Sequence, residues 1–222
     1  MATSGTSAFN LTVDEIIAEA YEPLGVLAPT GYELKTARRS LNLLFREISN
    51  RNLFAFISEK DSISTVASTA TYTLDSDAID IMNVTIRNNS SDVELTRYSY
   101  SDYAIIPDKT STGVPSIYYV DRQRDAIVLY LWSVPDGVYT VNFEKKRKIQ
   151  DVGVYTNNID VPDRLLPAVI TGLTYKLALK RPPSSAAWPS FLAEYERNLK
   201  YAMEEDRDRT STFMYPDMRR RR

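Results

Sequence analysis

Five stretches of this chain carry residue types that could do chemistry. Asp75-Ser-Asp77-Ala-Ile-Asp80 offers three carboxylates that could present oxygens to Ca²⁺. It lacks the twelve-residue loop, the sharp-turn glycine and the terminal Glu of an EF-hand, so an ordinary turn is the preferred reading. Glu204 with Glu205, and Asp160 with Asp163, are paired acids of the kind a glycan hydrolase uses. On helix ends such pairs are by default solvated acids or caps. Lys145-Lys-Arg-Lys148 could touch phosphate, or could protect an exposed strand edge. The last stretch, residues 210–222, sets Phe213, Met214, Tyr215 and Met218 ahead of Arg219, Arg220, Arg221 and Arg222. Apolar anchors could fill pockets on a partner while the arginines fork onto carboxylates.

What is missing narrows the field. The chain has no Cys and no His, which removes thiol nucleophiles, disulfides, the commonest general base and the commonest transition-metal ligand. No glycine-rich phosphate loop occurs. The chain is therefore expected to carry no catalytic residue, no metal and no cofactor. The formal net charge of −2 argues against a generally basic nucleic-acid binder, yet residues 210–222 carry a net +3 and leave −5 on the rest. The N-terminus reads as neither a secretory signal nor a membrane anchor, and no apolar run approaches the ~20 residues of a membrane span. With 222 residues there is enough chain for a proper core. The fifteen tyrosines suit either a β-surface or a protein interface.

The elements that must position these residues follow from periodicity. Residues 12–51 form a helical pair opened by two capping boxes, Thr12-Val-Asp-Glu15 and Thr30-Gly-Tyr-Glu33. Leu34, Ala37, Leu41, Leu44, Phe45 and Ile48 make one apolar stripe on the second helix. Lys35, Arg38, Arg39 and Arg46 lie mainly off that stripe, facing solvent or an acidic neighbouring subunit. A β-rich stretch follows, with strands expected at 53–58, 61–66, 71–74, 79–87, 93–97, 115–121, 126–132 and 138–145. A turn is expected at 88–92, and a short helix over 99–106. The parity slip between Ile81 and Val84 suggests a bulge. Pro135-Asp-Gly137 suggests that 126–132 and 138–145 pair as a hairpin. The helical period returns near Asp160-Val-Pro-Asp163. Leu165, Leu166, Val169, Ile170, Leu173 and Leu177 form the next apolar face, and Phe191, Leu192, Tyr195, Leu199, Ala202 and Met203 the last.

The expected fold is α+β: a four-helix unit built from the N- and C-terminal segments, a β-rich insertion domain and an extended C-terminal arm. Its divisions are a lead-in over 1–11, a discontinuous helical domain over 12–52 and 159–209, an insertion over 53–158 and an arm over 210–222.

The words Asp14-Glu-Ile-Ile-Ala-Glu-Ala-Tyr-Glu-Pro-Leu-Gly25 and Thr30-Gly-Tyr-Glu-Leu-Lys-Thr-Ala-Arg-Arg-Ser-Leu-Asn-Leu-Leu-Phe-Arg-Glu47 resemble the start of the head-to-tail adaptor proteins of short-tailed bacteriophages. These are also called tail tubular protein A-like or packaged-DNA-stabilising proteins. The helix around 159–178 and the last helix fit the same layout. The resemblance implies a virion structural protein of the tail or neck, assembled in the host cytoplasm. It would form a dodecameric ring that binds the portal protein and receives the tail nozzle, a tail tubular protein B-like protein. Viral double-stranded DNA would pass the lumen without sequence recognition. It further implies that the C-terminal arm, through Phe213, Met214, Tyr215, Met218 and Arg219 to Arg222, contacts the portal. Lys35, Arg38, Arg39, Lys145, Lys146, Arg147 and Lys148 are candidates for inter-subunit or phosphate contacts. The alternatives are a nucleic-acid-binding module, whose duplex binding would fall steeply with salt, and a carboxylate-dependent glycan hydrolase.

Overall fold

The computed structural model of the chain describes residues 5, 9–51, 55–181 and 188–206. Among the described residues, five α-helices and ten strands follow one another in the expected α, β, α sequence. The first helix, α1 (Val13–Tyr21), begins at the Thr12 capping box, where Glu15 Oε2 accepts from the Thr12 amide (2.8 Å) and hydroxyl (2.7 Å). The second, α2 (Gly31–Arg51), opens on the same device. Glu33 Oε2 accepts from the Thr30 amide (2.7 Å), and the Thr30 hydroxyl accepts from the Glu33 amide (3.4 Å). These bonds hold both glutamates below their ordinary pKa of 4.5. A lowered native pKa contributes stability above the unfolded value, and that stability is lost as pH falls through the native one. A Glu15→Gln, Glu33→Gln double variant should therefore lose stability at neutral pH and show a shallower decline below pH 4.5. Urea titrations at stepped pH check this; an acid limb as steep as the parent's would contradict it.

The helical core is built as the stripes demand. Val13, Ile16, Ile17 and Ala20 of α1 meet Ala37, Leu41, Leu44, Phe45 and Ile48 of α2. The other two helices complete it. A 3-10 turn (Asp163–Leu165) leads into α4 (Leu166–Lys180), where Pro167 is tolerated in the first turn. The last helix is α5 (Trp188–Glu205). Helix α4 is central: its neighbours are α1, α2 and α5. Its Gly172 lets α5 approach so closely that an added Cβ would lie 2.8 Å from Tyr195 Cε2. A polar stitch crosses the same seam, because Glu47 of α2 accepts from Lys176 Nζ (2.7 Å) and from the Tyr195 hydroxyl (3.3 Å). Burial alone would raise the Glu47 pKa. The bond and charge of Lys176 outweigh it and hold the carboxyl low.

Between the helical pairs lies a β-sandwich. One sheet runs β1 (Ser58–Ser64), β10 (Thr140–Arg147), β3 (Ala78–Asn88), β4 (Ser91–Glu94), all antiparallel. The other runs β2 (Thr71–Thr73), β8 (Ile127–Trp132), β7 (Ile117–Arg122), β5 (Thr96–Tyr98), with only β5 and β7 parallel. Ile81, Val84, Ile86, Leu129, Leu131, Val141 and Phe143 fill the space between the sheets. A two-stranded parallel piece joins β6 (Thr112–Gly113) to β9 (Val134–Pro135), and the short α3 (Tyr100–Ala104) starts at Ser99 as expected.

Local signals hold well here. Asn89 and Ser90 take positive φ between paired Asn88 and Ser91, which gives a two-residue hairpin with both central residues left-handed. The parity slip is a bulge: Asn83 (φ 50°) and Val84 of β3 together oppose Phe143 of β10.

Three strand expectations fail. First, residues 126–132 and 138–145 do not form a hairpin. Strand β8 pairs with β2 and β7, whereas β10 pairs with β1 and β3 in the opposite sheet. The two segments meet across the core through their apolar faces, not edge to edge, and residues 133–139 carry the chain over. Second, residues 93–97 are not one strand. Leu95 is buried between the sheets, its amide bonded to Val84 O, while the next amide, Thr96, bonds to Ser116 O in the other sheet. Third, the strand expected over 53–58 is a 3-10 turn over Ala55–Ile57, because Ile57 turns into the helical core; residues 52–54 lie outside the described residues.

The polar stretch after β10 proves to be a strap. The Ile149 amide donates to Ser49 Oγ (3.3 Å), Val152 N to Asn42 Oδ1 (2.7 Å), and Arg38 to Gly153 O (3.3 Å). Asn157 O and Tyr155 O then accept from the Val13 and Asp14 amides (3.0 Å each). Those amides are the unpaired donors of a helix start, so the strap completes the cap of α1. Ile149 and Val152 pack into the helical core although they fall inside the stretch expected as the insertion.

Candidate functional site

The basic run Lys145 to Lys148 sits where sequence periodicity did not place it. Its first three residues end β10, an inner strand with β1 on one side and β3 on the other, so they guard no edge. Lys145 is 6% exposed, and its ammonium lies 3.4 to 3.7 Å from Asp77, Asp61 and Asp75. Desolvation would lower its pKa, but the three aspartates prevail and raise it. Two of the carboxylates read from sequence as candidate calcium ligands thus face an ammonium. Lys146 Nζ donates to Ser58 Oγ and lies 3.6 Å from Glu144. Arg147 is clasped by Asp160, through Nη1 and through Nη2 at 3.1 Å. Its Nε lies 2.5 Å from Glu59 as an ion pair outside hydrogen-bond geometry. Lys148 Nζ donates to Ser76 O (2.7 Å). The run ties β10 to β1, to the 75–77 turn and to the strap.

The cations of α2 are placed differently. Arg46 pairs with Asp151, and Arg38 stacks 5.6 Å over the Tyr155 ring, so both help hold the strap. Lys35 and Arg39 are exposed. Arg39 borders a groove of about 710 Å³ together with Tyr32, Thr36, Lys180 and Arg181. Burial depresses the Lys180 pKa, and the charges of Arg39 and Lys176 push it further down. Arg181 is paired with Glu33 at 2.8 Å. A groove of this charge suits an acidic partner surface.

A second groove, of about 640 Å³, has the opposite sign. Its walls are apolar, with Phe9, Leu11, Ala18, Val26, Leu27 and Ile170, and Glu15 and Glu19 of α1 border it together with Glu22 just beyond the helix. Leu27 is 85% exposed and Phe9 63%.

The outer face of the β2-β8-β7-β5 sheet is aromatic. Tyr103, Tyr119 and Tyr130 lie with neighbouring ring centroids 5.4 to 5.8 Å apart, and Tyr100 stands against Tyr119 at 5.9 Å, itself 70% exposed. Sequence composition announced the tyrosines but not their gathering, since they come from α3, β7 and β8.

Acid catalysis finds little support in this geometry. A hydrolase acid needs a raised carboxyl pKa. Each carboxyl with a displaced pKa here is displaced downward: Asp14, Glu15, Glu33, Glu47, Asp92, Asp108 and Glu144. Of the paired acids singled out from sequence, Asp160 is held by Arg147, and Glu204 lies 3.9 Å from Lys200. The arm residues Phe213, Met214, Tyr215, Met218 and Arg219 to Arg222 lie outside the described residues. Among the described residues, no helix is long and apolar enough to cross a membrane.

Among the described residues, a braced helical unit carries a sandwich whose surface offers charged grooves and an aromatic face, features suited to packing against other proteins. Residues 11–221 match the SU10 adaptor protein family, and the chain belongs to that family: it is a phage adaptor, a structural protein of the virion neck. The match shows the phage adaptor that the helical words led us to expect, and it does not extend to the narrower tail tubular protein A-like group. No curated protein matches the chain.

Proposed function

We propose that the chain forms a ring, of twelve copies by the resemblance, which joins the portal to the tail nozzle and extends the DNA channel. The observation that carries this reading is the family match itself, which spans both helical pairs, the sandwich and all but the last residue of the arm. A ring needs two different faces of each subunit to meet. The basic groove with Arg39, Lys180 and Arg181 is suited to receive an acidic neighbour, and the tyrosine face, large and amphipathic, suits a contact with the nozzle. The portal contact falls to Phe213, Met214, Tyr215, Met218 and the four terminal arginines. An arm that finds its ring contact only on the portal would explain stepwise addition of subunits, since nothing before the portal offers that site. Several such contacts in one ring would make release very slow. Passage of DNA needs no base recognition, and an acidic chain offers a lumen to which DNA does not stick.

The test uses candidate portal rings with the full chain and with a chain ending at Thr210, read by light scattering and electron microscopy. The full chain should join the portal as a ring and the shortened chain should stay free. Attachment of the shortened chain would remove the arm from the contact. Failure of both would overturn the adaptor-ring reading.

A further inference from the structure

The acidic groove on α1 has walls that call for a cover. Leu27 and Phe9 present large apolar surfaces to solvent, next to the exposed Ala18. Such exposure concentrated in one groove marks a binding surface more often than chance does. The acids beside it are Glu15 and Glu19, on one face of α1, and Glu22, which opens the 3-10 turn (Glu22–Leu24) that follows the helix and borders the same groove. Glu15 is occupied by the capping box, while Glu19 and Glu22 form no ion pair among the described residues. The groove therefore asks for a ligand with large apolar side chains and adjacent positive charge.

One segment of this chain has that composition. Residues 210–222 supply four large apolar side chains followed by four arginines, and no other stretch of the sequence combines the two. The position from which it departs also fits. The described part of α5 ends beside Asp206, whose carboxylate is paired with Arg164 at the start of α4. Ile170, in the groove wall, lies six residues further along, about 9 Å along the helix axis. The sixteen residues after Asp206 can span roughly 50 Å when extended, several times that separation.

We infer that in the free chain the groove of α1 holds the chain's own C-terminal arm, with Phe213, Met214, Tyr215 and Met218 against Leu27, Phe9 and Ala18 and the terminal arginines on Glu19 and Glu22. Held this way, the arm keeps its apolar side chains out of water and away from other copies until a stronger partner takes it. The inference rests on the chain alone, and it stands or falls independently of which partner finally receives the arm.

The native chain has no cysteine, so introduced pairs report without background. The full chain is prepared with Ala18→Cys plus Met214→Cys, and separately with Val93→Cys plus Met214→Cys, Val93 being an exposed residue of β4 in the sandwich. Each is treated with a short bis-maleimide at low protein concentration. The Ala18 pair should link within one molecule roughly tenfold faster than the Val93 pair, the advantage that local tethering gives. Adding Glu19→Lys and Glu22→Lys, both exposed beside the groove, should bring the Ala18 rate down to the control rate without moving the thermal midpoint. Equal rates for the two pairs, or an Ala18 rate indifferent to charge reversal, would overturn the inference. Links formed mainly between molecules would also overturn it and assign the groove to a second copy. Portal attachment is scored separately: attachment without the groove link removes only this inference, and the groove link without attachment removes only the portal reading.

Discussion

Replacing Arg147 with methionine is expected to destabilise the chain by about 2–3 kcal/mol while leaving its affinity for duplex DNA unchanged. The guanidinium sits at the end of β10, 14% exposed, between Glu59 of β1 and Asp160 at the approach to α4. Removing it leaves two carboxylates facing each other with no cation, and Asp160 must also go on accepting from the Gln150 amide (3.0 Å). The full cost of breaking a buried pair is about 3–5 kcal/mol. It is discounted here because Glu59 is nearly half exposed and water can reach it. Asp160→Asn in the Arg147→Met background should recover part of the loss, since the pair is coupled. Urea unfolding and duplex binding across a salt series decide the matter. An unchanged unfolding midpoint together with a salt slope reduced by about one would turn Arg147 back into a phosphate contact.

Gly172→Val should cost about 3 kcal/mol, and Gly172→Ala less, with α5 loosened from α4 in both. An added Cβ would stand 2.8 and 2.9 Å from two carbons of the Tyr195 ring and 3.1 Å from Leu44 Cδ1. The ring cannot swing aside without cost, because it is 3% exposed and its hydroxyl is bonded to Glu47. Against this, alanine gains about 1 kcal/mol in helix propensity over glycine, which is why the smaller replacement is the milder one. Thermal unfolding of the two variants gives the order; a stabilised Gly172→Ala would mean that the seam has room to open. The same ring makes the seam sensitive to base. Burial first, and then the charge of Glu47, raise the Tyr195 pKa above its ordinary 10.0. A raised native pKa contributes stability that is present below the unfolded value and lost as pH climbs through the native one. The seam should thus weaken above pH 10, and Tyr195→Phe should shrink the alkaline loss of stability, to which Tyr21 and Tyr118, also raised by burial, contribute as well.

Reading from sequence succeeded for several devices whose partners lie a few residues apart, although the turn signal at Pro135-Asp-Gly137 did not make the hairpin it suggested. Thr12 with Glu15, Thr30 with Glu33, the left-handed pair Asn89 and Ser90, and the slipped parity at Asn83 are all written within three or four positions. The apolar stripes of α2 and α4 were equally legible, because a helix buries one face whatever it packs against. The grooves and the tyrosine face were not legible as sites. Each is assembled from separate elements, and only the folded chain brings Ile170 to the α1 face or Tyr103 to Tyr130.

By itself the sequence determined the α, β, α order of the chain, its two capping boxes, the stripe that α2 buries and the composition of the arm, because these depend on neighbours along the chain. Only the tertiary structure decided that β10 joins β1 and β3 instead of β8, that residues 149–158 strap α2 and cap α1, and that the Lys145 to Lys148 run is held by Asp61, Asp77, Glu59 and Asp160. The physical reason is common to all three. An alternating strand has the same pattern whichever strand it pairs with, and a charge has the same formula whether water or a distant carboxylate faces it. Which alternative is realised depends on long-range packing, and that is settled only when both sheets and all four long helices close on their cores.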